Sequence, residues 1–472
     1  MIAPTRLGAA AVIFVILCAR LAVIGCAGEE ATIPVGLARI DITPETPIRL
    51  AGYAARKSES DGVAQRLWAK ALAIGGDEGK GPAILLMIEN CTLPTQQVGE
   101  LCGKLAEESG IEPSRFVACC THTHAGPRLA AHSAWYGETP QEHAAHIEQY
   151  VRKLGADLAR VTAEALAARR PGRLSWARGQ VDFAANRRVL REGKWTGFGV
   201  QADGPVEHSL LLLRITSAEG KLLGVVANYA CHATTLGPSF NQVHGDWPGC
   251  AQEYFEAEHS GAMAMILIGC GADANPNPRG ELEHARQHGR TVANEIRRLL
   301  AGSFTLLPPQ LSADKARIAL PLAPAPSRAE LQRRIEAGQA DTDSATARRR
   351  AEHAAGILAR MDRQESLPTA LGYPITVWSF GDRLSMVFLS GEVVVDYALR
   401  LHRQLDQQRL WITAYAHRSM PGYIVSRRVL QEGGYEALSS MMPLAPEAED
   451  SLVAGVCRLV PAAFHVGAPA GK

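Results

Sequence analysis

Short blocks of consecutive apolar residues recur along the chain with amphipathic stretches between them, and this spacing predicts the elements before any chemistry is considered. Ala83 to Ile88, Phe116 to Cys120, Leu223 to Ala230, Met263 to Ile268 and Leu384 to Leu389 have the length and branching of buried strands. Glu142 to Ala168 and Glu281 to Leu300 instead repeat apolar residues every three or four positions with a polar opposite face, which predicts helices. The alternation implies an α/β to α+β fold, a mixed-sheet core with surrounding helices. Residues 303–327 are rich in proline and alanine, and Arg328 to Arg363 reads as charged helix broken near Gly338 to Asp343; about 303–370 is therefore expected as a helical surface excursion. A strand-like run from Thr376 to Leu389, then Gly391, Glu392 and a helical stretch from Val393 to Leu405, bring the chain back to the core. Residues 31–472 read as a single domain without internal repeat, dinucleotide glycine fingerprint or phosphate loop.

The first 26 residues stand apart. MIAPTRLGAAAVIFVILCARLAVIGC has a basic start and an apolar run too short to cross a bilayer comfortably, as in an export signal. Val23, Ile24 and Gly25 before Cys26 are similar to the recognition box of a bacterial lipoprotein signal, so a lipidated Cys26 at a membrane surface is the expectation. Plain secretion and an uncleaved anchor over residues 7–25 are the alternatives.

Charge narrows the partners. The 472 residues hold 49 Lys+Arg against 48 Asp+Glu, and without residues 1–26 the balance is 47 to 48. A nearly neutral chain lacks the basic excess that drives nucleic-acid binding. With 47% hydrophobic and 21% charged residues, it can bury a large core. Eight cysteines remain after the leader, several in apolar runs, so buried thiols and disulfides are both open.

Candidate chemistry sits where apolar runs end. RFVACC is followed by Thr121-His122-Thr123-His124-Ala125-Gly126-Pro127, and an extended backbone would point His122 and His124 to one side. Neutral imidazoles in such a pair suit a transition metal or acid–base work; hydrogen bonding at the surface or in the core is the plainer reading. His232 also stands between an apolar run and a Gly-Pro loop, and Glu392 follows FLSG, where a carboxylate can join a metal set or cap the next helix. Asp246 and Asp273 lie in glycine-containing turns, which turn formation alone explains; hydrogen bonds to ligand histidines or a second, unassigned structural divalent cation are the alternatives.

IDITP at 40–44, THTHAGP at 121–127, ANR at 185–187, NYACHAT at 228–234, HGDWPG at 244–249, GADANPNP at 271–278, LSGE at 389–392 and a GY–YEA pair at 422–437 together resemble the neutral/alkaline non-lysosomal ceramidase family. The resemblance implies a Zn2+ amidase that hydrolyses the N-acyl bond of a small-molecule or lipid substrate through zinc-activated water. It implies His122, His232, Glu392 and Tyr423 as zinc ligands. His124 matches the second histidine of the family's motif, and Arg187 and Tyr435 match residues that face the scissile carbonyl. His124 or a neighbouring carboxylate would move the proton, and the imidazole is the better candidate because it exchanges one near neutral pH. The family also carries a further immunoglobulin-like domain beyond the catalytic one, and this chain ends near residue 472, so the catalytic domain alone is expected.

Two departures bear on substrate. Asn275 stands where the family has a serine associated with the active site; an amide cannot act as a hydroxyl nucleophile, whereas water attack needs none. Arg128 follows Gly126-Pro127 where small residues are usual, and is expected to narrow the mouth or meet an anionic group. A zinc esterase or polar-amide hydrolase, and a non-catalytic ligand-binding descendant, are the alternatives to the amidase.

Overall fold

A computed structural model describes residues 1, 31–132, 135–341, 344–417, 422–439 and 443–467. The segment expected as an export signal, with Cys26, lies outside the described residues apart from Met1. Among those described, no helix is long and apolar enough to cross a membrane.

The strands are β1 (Ile33–Asp41), β2 (Trp68–Ile74), β3 (Ala83–Ile88), β4 (Phe116–Cys120), β5 (Arg170–Gln180), β6 (Ala184–Asn186), β7 (Arg188–Arg191), β8 (Lys194–Phe198), β9 (Ser209–Ser217) and β10 (Leu222–Tyr229). They continue with β11 (Met263–Ile268), β12 (Ala274–Pro276), β13 (Thr305–Leu306), β14 (Leu311–Pro321), β15 (Ala370–Phe380), β16 (Leu384–Ser390), β17 (Glu392–Val393), β18 (Leu410–Ala416) and β19 (Tyr423–Ile424). Thirteen join one mixed sheet in the order β11-β10-β9-β5-β1-β2-β3-β4-β18-β16-β15-β14, with β13 beside β5. β3 runs parallel to β4, β10 to β11 and β16 to β18.

Side-chain alternation explains why the strand runs are apolar throughout. Ile84, Leu86 and Ile88 face one core together with Ile147, Leu154 and Leu158 of the helix Gln141–Ala167, whereas Leu85 and Met87 face a second core made almost wholly of strand residues. That inner core spans Val117, Trp176, Leu213, Met265, Trp378, Phe388 and Trp411, because the sheet curls until β11 touches β3, β4 and β18. A cross-sheet hydrogen bond from Asn228 Nδ2 to the Ile412 carbonyl, 3.0 Å, ties β10 to β18. The curl brings strand ends distant in the chain to one rim.

Two expectations are corrected. The run 376–389 is not one strand: β15 and β16 form a hairpin whose turn includes Gly381 at φ +54, a left-handed value that a residue without Cβ adopts freely. Within the tract expected as an excursion, Leu311–Pro321 is an edge strand of the main sheet, and only the helices Arg328–Ala340 and Ala345–Asp362 stand outside it. An edge strand tolerates the charges of LSADKARIALP, which hid it from an apolar-run criterion. The eight cysteines among the described residues are free thiols, six of them buried.

Glu89, just past β3, is buried beside Lys70; its Oε2 accepts from Trp68 N at 2.8 Å and Gln252 donates to its other oxygen. Burial pushes its carboxyl up from 4.5 to about 7 against the pull of Lys70. A raised folded-state pKa means this group favours the native state below about pH 4.5 and loses that contribution as pH rises through 7. Glu89→Gln is expected to flatten the urea midpoint between those pH values; parallel curves for the two proteins would count against the assignment.

Candidate metal centre

β4, β10 and β16 end at Cys120, Tyr229 and Ser390, and the loops that continue them carry His122, His232 and Glu392. The carboxyl ends of strands are where an α/β sheet offers a crevice. His122 does not lie in extended backbone as the alternation argument assumes: the strand has ended and His122 sits at φ +59. The left-handed turn still brings its ring centroid within 4.8 Å of both His124 and His232.

Hydrogen bonds fix the tautomers. Carbonyl oxygens only accept, so His122 Nδ1 donates to Cys91 O at 2.6 Å and His232 Nδ1 to Gly271 O at 2.8 Å. Each ring then turns its Nε2 toward Glu392 Oε2, 3.3 Å from both. Against burial, Cys91 and Glu392 hold His122 well above the usual imidazole range, so the contact is kept by a proton on His122 or by a cation in its place. With both Nε2 atoms unprotonated the three acceptors repel unless a cation lies among them, and Glu392 Oε2 is a buried oxygen. A separation of about 3.3 Å is also the edge of a tetrahedron with metal–ligand bonds of about 2.0 Å. The donor set of two imidazoles and a carboxylate therefore fits a divalent ion, and the three ligand atoms lie within 4.8 Å of one another. The site favours the anion: burial would raise the Glu392 carboxyl, yet His122, held in its protonated form, and His232 keep it well below the usual carboxylate range, which is the state a cation would need. Burial, with Arg187 nearby, pushes His232 down to about 4.

The other expected residues surround this point. His124 Nε2 is 3.2 Å from His122 Nε2, and its ring stands edge-on to Tyr53 at 4.9 Å. Gly52 makes room for it, since a Cβ there would come within 2.2 Å of the imidazole. Burial and the neighbouring His122 and His232 keep His124 well below the usual imidazole range, hence neutral. β17 and β19 pair Glu392 with Tyr423, whose hydroxyl accepts from Arg187 Nη2 at 3.2 Å. Arg187 Nη1 reaches Asn275 Oδ1 and His232 Nε2, both at 3.4 Å, and Asn275 Oδ1 also accepts from Thr234 Oγ1 at 3.1 Å. The Tyr435 ring lies 5.7 Å from Tyr423 and 5.9 Å from the Arg187 guanidinium carbon.

Two residues that sequence reasoning passed over complete the surroundings. Glu436 is fully buried and accepts from Arg187 Nε at 2.9 Å and from Arg188; two adjacent arginines demanded such an anion, but nothing in the chain order said which. Tyr415, at φ +56, lies 4.5 Å from the His122 ring with its hydroxyl buried and unpartnered. Its sequence surroundings carry no signal.

Other expectations are corrected. Arg128 does not reach the mouth: it is 1% exposed, stacked 3.7 Å from the Tyr136 ring, and donates to the carbonyls of Leu50 and Arg56. Asp246 accepts from the N–H groups of Thr235, Leu236 and Trp247, and Asp273 from Val395 N at 2.9 Å and Arg428 at 3.2 Å. Both hold loops, and among the described residues neither joins a group of donors able to bind a second cation.

Comparisons with known proteins bear on the family and the fold. The family model for neutral/alkaline non-lysosomal ceramidase, N-terminal, matches residues 34–282. A neutral ceramidase of Pseudomonas aeruginosa is 25% identical over 255 residues, which cover 51% of this chain and 37% of that protein. The match thus spans little more than a third of the curated relative. Among solved structures, a ceramidase complexed with C2 superposes with a TM-score of 0.68 at 16% identity, over 91% of this chain and 76% of that one. The crystal structure of neutral ceramidase from Pseudomonas aeruginosa gives 0.67 at 17% identity, over 93% and 77%. Motif order, mixed-sheet fold and the matched residues lead to one conclusion: this chain belongs to the neutral/alkaline non-lysosomal ceramidase family.

Proposed function

We propose that the chain is a zinc-dependent hydrolase of linear N-acyl amides, of ceramidase type. The observation that carries the reading is the meeting of His122 Nε2, His232 Nε2 and Glu392 Oε2, beside Arg187 and two tyrosines. Tyr423 supplies a further oxygen next to that set. A divalent ion held there supplies Lewis acidity toward water and an acyl oxygen.

The chain's own groups do the rest. Neutral His124 takes the proton from the attacking water and returns it to the departing amine, so that the C–N bond breaks to a carboxylic acid and a free amine. The Arg187 guanidinium, locked by Glu436, and the Tyr435 hydroxyl donate to the oxygen that gains charge as the carbonyl becomes tetrahedral. Burial and Glu392 push the Tyr435 hydroxyl up against the opposing pull of Arg187 and Arg349, so it stays protonated and able to donate. Asn275 cannot be a nucleophile; its Oδ1 instead steadies Arg187 and Thr234.

The test is to incubate the zinc-loaded protein with ceramides, N-acyl amino acids and matched fatty-acid esters and to read products by mass. Release of fatty acid and free amine from amides is expected. Cleavage of esters alone would reject the amidase reading in favour of an esterase.

A further inference from the structure

Beyond Tyr435 the rim opens into a second feature that the reaction chemistry does not use. A cavity of about 110 Å³ lies between the helices Arg328–Ala340 and Ala345–Asp362 and the short helix Tyr435–Leu438, lined by Trp135, Arg334, Arg349, Arg350, His353 and Leu438 among others. Arg349 and His353 are one turn apart on the same helix face, and Arg334 joins them from the neighbouring helix. The two helices meet closely because Gly338 has no side chain: a Cβ there would come within 2.4 Å of Ala351. All four basic side chains are half-buried. Arg334 is paired with Glu330 at 2.9 Å, while among the described residues Arg349 and Arg350 have no carboxylate partner. Partly desolvated cations that must share one carboxylate, Glu330, are unfavourable unless a further anion joins them. The same neighbours act on titration: burial and Arg334 lower Arg350 against the pull of Glu330, and burial, Arg334 and Arg349 lower His353.

Two ring contacts link the pocket to the reaction site. Arg349 stacks over Trp135 at 5.1 Å, and Trp135 meets Tyr435 edge-on at 6.4 Å. Tyr435 also meets Phe198 at 5.0 Å, and Phe198 is 52% exposed. A substrate whose amide lies at Tyr435 thus has both an apolar side chain and a cationic, aromatic-floored pocket among its neighbours.

We infer that Arg349 and Arg350, with Trp135 as floor, form a subsite for an anionic group on the amine part of the substrate, a carboxylate or a phosphate, so that the enzyme prefers N-acyl amides carrying a negative charge close to the scissile bond. Guanidinium forks recognise such oxyanions in paired hydrogen bonds, which ammonium groups do not. This deepens the amide-hydrolase reading and rests on it.

N-lauroylglycine and N-lauroylglycinamide share acyl chain and scissile bond and differ only in the charge, so their ratio of kcat/KM isolates the subsite. The native enzyme is expected to prefer the carboxylate at least tenfold, chiefly through KM, and Arg349→Gln/Arg350→Gln to bring the ratio toward one. Because both substrates are read on one preparation, partial misfolding of the variant leaves the ratio meaningful. A ratio near one in the native enzyme, or unchanged in the variant, overturns the subsite while the amidase reading stands; cleavage of neither compound nor of ceramide removes both. Stimulation of N-lauroylglycinamide turnover by inorganic phosphate, lost in the same variant, would assign the pocket to a free anion and overturn its role toward substrate.

Discussion

Glu392→Gln is expected to leave the protein folded and nearly devoid of both metal and turnover. The substitution keeps volume and removes the charge that balances a divalent ion between two neutral imidazoles. Lesions outside the coordination sphere already cost about 10–100-fold in metal affinity, so loss of a ligand charge should cost at least 100-fold. A bound ion supplies several kcal/mol of transition-state stabilisation, and its loss should lower turnover by roughly a thousandfold or more. The metal-free fold should keep most of its stability: without an ion Glu392 pairs with His122, and a glutamine amide replaces that pair with a neutral hydrogen bond, so the metal-free variant should melt as one cooperative unit close to or below the metal-free parent. Metal content by elemental analysis, turnover and a thermal melt decide it; stoichiometric zinc with normal turnover would remove Glu392 from the ligand set.

Glu436→Gln is expected to have the opposite signature, a loss of stability that drags activity down with it. Glu436 is 0% exposed and is the common acceptor of Arg187 and Arg188, of which Arg188 is also 0% exposed. Removing one partner of such a buried set leaves charge uncompensated and costs about 3–5 kcal/mol. Glu432, 3.0 Å from Arg188, retains part of the balance, which places the cost toward the lower bound. Arg187 would also lose the bond that aims it, and a displacement of about 1 Å in a positioning group can cost about 100-fold in rate. Urea titration and turnover on the folded fraction test both; a stability change below about 1 kcal/mol would show that the pair with Glu436 is not what holds Arg187.

The sheet was legible wherever a strand is buried on both faces, because such strands are apolar at every position; β3, β4 and β11 follow their apolar runs to the residue. It was illegible where burial is one-sided, as in β14, or where a hairpin turn joins two strands into one run, as at Gly381. At the site, motif order named the residues that meet, His122, His232 and Glu392 among them, while the period-two argument gave the wrong backbone for His122. Arg128 misled because a charge in a loop reads as solvent-facing, whereas here Tyr136 and two carbonyls bury it. Glu436 and Tyr415 gain their roles only from tertiary placement, which no local pattern encodes.

The convergence of strand ends has a consequence for how the protein matures. Donors supplied by β4, β10 and β16 do not share a neighbourhood until the sheet has curled on itself, so an unfolded or half-assembled chain offers no competing chelate of the same quality. An ion that finds only the finished molecule shifts the equilibrium toward it by mass action, by about 2.7 kcal/mol at a free concentration one hundred times the dissociation constant. Metal capture at this site would thus act as a late quality check on assembly, and metal scarcity would show itself as proteolytic fragility alongside the loss of turnover.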